Sequence, residues 1–132
     1  MSKRTLYLFV VLIVISCLAF SCASFQKQVA LDEGNKEHVV EMKVSNFKFV
    51  PNNILTHEGS TIIFRLTNVT SASHNFTLTD PSGAIVQDVA IPGDRTIEVK
   101  ATFSESGTYY FYCDKLFHSA LGMKGWIEVV RK

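Results

Sequence analysis

From His38 to the C-terminus the chain alternates between apolar and polar residues, and this period of two decides what it can fold into. Val40, Met42 and Val44 alternate with Glu41 and Lys43, and Phe47 and Phe49 flank Lys48. The pattern recurs at Ile62, Phe64 and Leu66, at Ile97 and Val99, and at Ile127 and Val129. Successive side chains on a strand point to opposite faces, so such runs build strands with one buried face, and a helix would scatter the same apolar residues around its circumference. Turn-forming residues punctuate the runs: Pro51-Asn52-Asn53, Glu58-Gly59-Ser60, Pro81-Ser82-Gly83, Pro92-Gly93-Asp94 and Ser106-Gly107. Seven or eight short strands at this spacing predict an all-β, antiparallel sandwich of two sheets. Only the stretch Leu116–Leu121 has room for a single helical turn.

The chain has 132 residues, 47% hydrophobic and 11% aromatic, enough for one ordinary domain with a real core. The formal charge is +1; without Lys3 and Arg4 the balance is 11 basic against 12 acidic residues. That balance offers no basic stripe for nucleic acid, and no nucleic-acid partner is expected.

Ahead of the strands stands an export signal. Lys3 and Arg4 precede Thr5–Phe20, TLYLFVVLIVISCLAF, and small residues with cysteines follow. Two positions fit a lipidated cysteine behind a small residue: Cys22 is preferred, with Cys17 as the alternative. An uncleaved membrane anchor is the other reading of the same run. Residues 1–22 are therefore read as a lipoprotein-type signal or anchor, 23–37 as a polar tether and 38–132 as the domain. Each version puts the domain in the cell envelope, tethered to a membrane and facing the periplasm or exterior. Two sequons, at Asn68 and Asn75, are read as chance occurrences.

Cys113, the third cysteine, has no partner in the folded part. A lone thiol in an exported protein is exposed to oxidation unless it has chemical work such as metal ligation or catalysis. Tyr109, Phe111 and Cys113 share one strand face, so the thiol points inward at the end of a buried strand. His118 and Met123 follow in the spacing C-x4-H-x4-M, and Gly122 and Gly125 give the loop backbone freedom. Thiolate, thioether and imidazole form a soft donor set that selects copper; two imidazoles and a thiolate with a weak axial Met make a blue-copper site. The second imidazole has to come from His38, His57 or His74. His74, where a loop enters the apolar strand of SASHNFTL, is best placed, with His57 in reserve.

The stretch Gly107–Cys113, GTYYFYC, and the upstream pair His74-Asn75 resemble the cupredoxins, the family of plastocyanin, azurin and auracyanin, over residues 38–131. The resemblance implies a Greek-key β-sandwich holding one type 1 copper on His74, Cys113, His118 and Met123. It implies that the backbone amide at Asn75 bonds to the cysteine sulfur and ties two loops together. It also implies an electron carrier that exchanges electrons through the edge of His118 within an apolar patch, with cytochromes or copper proteins as donors and acceptors. Leu116, Phe117, Ala120 and Leu121 are the residues expected around that edge, with Tyr112 as a second route. The spacing from Cys113 to His118 exceeds that of plastocyanin, and that from His118 to Met123 exceeds that of azurin. A monomer is expected.

Enzyme readings fit less well. A Cys113–His118 nucleophile and base would need an orienting third group and an oxyanion site, and neither is in the loop. Copper oxidases place a His beside the blue-copper Cys, where this chain has Asp114, and a binuclear centre needs a second loop cysteine. The remaining alternative is a copper storage or delivery protein, for which the few methionines argue poorly.

Overall fold

Strand β5, Ser60–Asn68, alternates between buried and half-buried at every residue, as its sequence does. Its inward residues Ile62, Phe64 and Leu66 are fully buried. In the computed structural model, which describes residues 26–132, ten strands are built on this rule. They are β1 (Val29–Ala30), β2 (Glu37–Ser45), β3 (Lys48–Val50), β4 (Asn53–His57), β5, β6 (His74–Thr79), β7 (Ile85–Ile91), β8 (Thr96–Phe103), β9 (Gly107–Tyr112) and β10 (Lys124–Val130). One sheet has the order β1-β4-β10-β9-β6-β7 and the other β3-β2-β5-β8.

The all-β sandwich matches the sequence pattern, with two differences. Both sheets are mixed: β2 runs parallel to β5, and β4 runs parallel to β10 and to β1. The chain leaves one sheet after β3 and enters the other at β4, so strands meet across crossovers as well as hairpins. The strand count exceeds expectation because β1 and β3 have two and three residues, too few to show a period. The Leu116–Leu121 stretch consists of hydrogen-bonded turns, and no helix occurs among the described residues.

The polar segment before β2 departs from the tether reading. Val29 and Ala30 pair with Ile54 and Leu55, and Leu31 donates its N–H to Leu55 O at 2.9 Å while packing on the core. Two or three apolar residues in an edge position suffice for that docking, so the folded unit begins before residue 30. The signal or anchor, with Cys17 and Cys22, lies outside the described residues. Among the described residues no helix is long and apolar enough to cross a membrane.

Five phenylalanines, Phe49, Phe64, Phe76, Phe103 and Phe111, form the centre of the core. Phe76 of β6 stands 5.4 Å from Phe111 of β9, 6.0 Å from Phe49 and 5.3 Å from Phe64, and Phe49 is 5.5 Å from Phe111. Full burial of each such ring contributes about 1.5–3 kcal/mol. Phe76 and Phe111 lie on the same strand faces as His74 and Cys113, two residues away, so the aromatic part of the core adjoins those two residues.

Candidate metal centre

The two strands deliver their terminal residues to one place. His74 opens β6 and Cys113 follows β9; both continue the inward-facing series and both are buried. The loop between Cys113 and β10 closes on itself through its backbone. Cys113 N–H donates to Met123 O at 3.1 Å, which makes these two residues neighbours at the base. Met123 N–H donates to His118 O at 2.9 Å, and His118 N–H to Lys115 O at 2.9 Å, which fold the middle of the loop back over that base.

Gly122 has φ of 109°, a conformation that side chains rarely adopt, and so permits this return. Gly125 serves differently from the expected flexibility. A Cβ there would stand 2.3 Å from both Asn52 O and Phe111 Cζ, so it is a close-packing position.

The result brings His74, Cys113 and His118 together, with their ligand atoms within 4.8 Å of one another. His74 Nδ1 is 3.3 Å from His118 Nδ1, and Cys113 Sγ is 3.5 Å from His118 Nδ1. Donor atoms about 2.0–2.3 Å from one ion at a trigonal angle stand roughly 3.5–4.0 Å apart. The three side chains therefore fit a single ion, and their soft and imidazole donors suit copper. Met123 is fully buried at the base of the same loop. His38 and His57 are excluded by topology: they lie where β2 begins and β4 ends, at the opposite end of the sandwich, and His57 has Glu33 at 4.0 Å.

Hydrogen bonds decide which nitrogen of His74 is available. Its Nε2 lies 3.2 Å from Thr70 Oγ1. The Thr70 hydroxyl donates to Asn68 Oδ1 at 2.9 Å, so its lone pairs remain to accept Nε2–H. That leaves the Nδ1 lone pair aimed at Cys113 and His118. Asn68 is buried, and its Nδ2 donates to Ala72 O at 2.8 Å and Pro92 O at 3.1 Å. Burial foremost, then the positive charges of His118 and Lys115, lower the His74 pKa, which favours the neutral imidazole that binds metal.

Asn75 ties the two loops through its side chain: Oδ1 accepts the Asp114 N–H at 2.8 Å. Its Nδ2 donates to Thr77 Oγ1 at 2.9 Å and to Asp88 Oδ1 at 3.0 Å, which fixes the amide orientation. The two loops are thus tied at Asn75 through its side chain, and Cys113 Sγ lies 3.5 Å from His118 Nδ1. Both sequon asparagines are buried in these networks, which accounts for them structurally.

His118 is half-buried. Around it Leu116, Phe117 and Leu121 are 79%, 67% and 61% exposed, and Ala120 is exposed beside them. Phe47 meets the imidazole edge-on, with centroids 5.2 Å apart. It sits in the β2–β3 turn at φ 62°, away from the strand face its alternation with Lys48 suggested. Its sequence neighbour Asn46 was the available turn signal. Tyr112 is half-buried and lines an apolar hollow with Tyr110, Ser119, Ala120 and Lys124.

Comparison with known proteins agrees with this geometry. Residues 36–130 match the family of copper binding proteins described as plastocyanin/azurin. A plastocyanin of Dryopteris crassirhizoma is 31% identical over 98 residues, covering 66% of this chain and 92% of that protein. Auracyanin A, a blue copper protein of Chloroflexus aurantiacus, superposes with a TM-score of 0.60 at 20% identity, over 70% of this chain and 98% of its own. The metal-binding domain of the Cu(I)-exporting P-type ATPase of Streptococcus pneumoniae D39 gives 0.61 at 16% identity, over 81% and 99%. At those identities the two structures establish a shared fold, while the sequence match over 36–130 establishes descent: the chain belongs to the plastocyanin/azurin family of copper-binding proteins.

Proposed function

We propose that the protein is an electron carrier of the cell envelope that holds one copper on His74, Cys113 and His118, with Met123 as a weak fourth ligand. The convergence of His74, Cys113 and His118, with their ligand atoms within 4.8 Å of one another, carries the reading. Bound there, copper supplies a one-electron Cu(II)/Cu(I) couple. The protein's part is to keep the donors still. His74 and Cys113 are anchored to strand ends over the phenylalanine core, Met123 is tied to Cys113 by one backbone hydrogen bond and to His118 by another, and Thr70 and Asn75 fix the rest. Little then has to move on electron transfer.

The export signal and Cys22, or alternatively Cys17, support a membrane-tethered monomer facing the periplasm or exterior. Cytochromes or copper proteins are its donors and acceptors. Replacing both cysteines by Ser removes fatty-acid labelling if the signal is of the lipoprotein type.

A copper storage or delivery role shares the fold but calls for exposed, exchangeable ligands. Here His74, Cys113 and Met123 are all buried, which favours the carrier. Repeated oxidation and reduction in the presence of a copper chelator separates the two. The carrier retains its metal through every cycle; loss of the metal on reduction overturns the proposal.

A further inference from the structure

The apolar residues around His118 are bordered by charges of predominantly one sign. Lys48 follows Phe47, Lys115 precedes Leu116, and Lys124 closes the loop opposite Tyr112; all three are exposed. The turn holding Asp94 and Arg95 joins the same end, with Asp94 N–H bonded to Thr70 O at 2.9 Å. With Lys43, level with Thr96, and Asp88, level with Lys124, both included, Lys43, Lys48, Arg95, Lys115 and Lys124 outnumber Asp88, Asp94 and Asp114 by two. The turns of the opposite end reverse the sign. Asp32, Glu33, Glu58, Asp80 and Glu105 outnumber Lys36, Arg131 and Lys132 by two, leaving aside Glu37, which pairs with Lys100.

The lysines of the metal end are not neutralised locally. Among the described residues the Lys and Arg ion pairs join Arg65 to Glu41 and Glu98, and Lys100 to Glu37, on strands of the four-stranded sheet. Lys115 Nζ instead donates to the Ser73 hydroxyl at 2.6 Å, which holds its charge beside His74. A chain with nearly balanced total charge therefore has a field directed along the sandwich, positive at the copper end.

We propose that this end is the docking surface for a redox protein whose own electron-transfer site is rimmed by carboxylates. Lys48, Lys115 and Lys124 attract and orient that partner, and Leu116, Phe117 and Leu121 make the dry contact at His118. The inference rests on the carrier reading and adds the partner's chemistry to it. Steering by such a field raises association rates by about ten- to a thousandfold at low salt, while a small apolar contact lets the partner leave.

Two small probes test it on the intact protein. Hexacyanoferrate(III) takes one electron from the reduced protein to become hexacyanoferrate(II), and tris(phenanthroline)cobalt(III) likewise becomes cobalt(II). Stopped-flow rates with the anionic oxidant are expected to fall as salt rises, and those with the cationic oxidant to rise. The double variant Lys115→Glu, Lys124→Glu should slow the anionic reaction by about tenfold or more and invert its salt dependence. Independently of redox activity, hexacyanochromate(III) should broaden the NMR amide signals of Lys48, Lys115, Leu116 and Lys124 in metal-free protein. Broadening spread over the whole surface, with rates indifferent to probe charge, overturns the docking proposal. Because the broadening needs no copper, that failure is distinct from failure of the carrier reading.

Discussion

Thr70 Oγ1 lies 3.2 Å from His74 Nε2, and this contact leaves Nδ1 as the nitrogen free to bind a metal. The hydroxyl proton is committed to Asn68 Oδ1 at 2.9 Å, so Thr70 accepts from the histidine. Thr70→Val removes the acceptor and leaves the ring free to protonate at Nδ1. Such supporting contacts are worth about 10- to 100-fold in metal affinity. Chelator competition should show a copper-affinity loss in that range for Thr70→Val and recovery in Thr70→Ser, with electron paramagnetic resonance reporting the altered site. Equal affinities in Thr70→Val and the parent would remove Thr70 from the centre.

Asn75 serves both loops at once. Its Oδ1 accepts Asp114 N–H and its Nδ2 reaches Thr77 and Asp88. Asn75→Leu keeps the volume but leaves the part-buried Asp114 N–H and the buried Thr77 hydroxyl without this partner, at a cost of about 1–3 kcal/mol. Urea unfolding of the metal-free protein should show that loss. An unchanged midpoint would mean that the loops are held together by other contacts.

Met123 is fully buried at the base of the loop. A weak thioether ligand tunes the potential more than it holds the metal. Met123→Gln should bind copper with a lower reduction potential, because an amide oxygen favours Cu(II), and Met123→Leu should raise it. Voltammetry of both variants checks the sign. No movement in either would exclude Met123 as a ligand.

Leu121 is 61% exposed, three residues from His118 in the same loop. Leu121→Glu should slow exchange with the physiological partner while colour and potential stay almost unchanged. Tyr112→Leu should have a smaller or partner-specific effect. Stopped-flow kinetics distinguishes them, and an unaltered Leu121→Glu rate would move the contact elsewhere.

The clustering of His74, Cys113 and His118 was legible in large part because Cys113 and His118 share the short C-x4-H-x4-M loop, and the period-two rule orients Cys113 from Tyr109 and Phe111. His74 was identifiable from its place at a loop–strand junction. Its support was not: Thr70 and Asn68 reach it through side-chain hydrogen bonds, and in sequence Asn68 and Thr70 read as a sequon. Phe47 was assigned to a strand face because Phe49 shares its period, but a left-handed turn residue breaks the alternation and carries the ring to His118. The parallel pairings of β4 and β5 were hidden for another reason. Periodicity orients a strand's faces but says nothing about which strand lies beside it, and the two-residue β1 gives no periodic signal at all.

Cys113→Ser tests the central claim most directly. The parent protein loaded with Cu(II) should show an intense visible band from sulfur-to-copper charge transfer. The variant should fold to the same sandwich by circular dichroism and lack the band. A folded Cys113→Ser protein that kept the band would contradict the assignment of Cys113 as the copper thiolate.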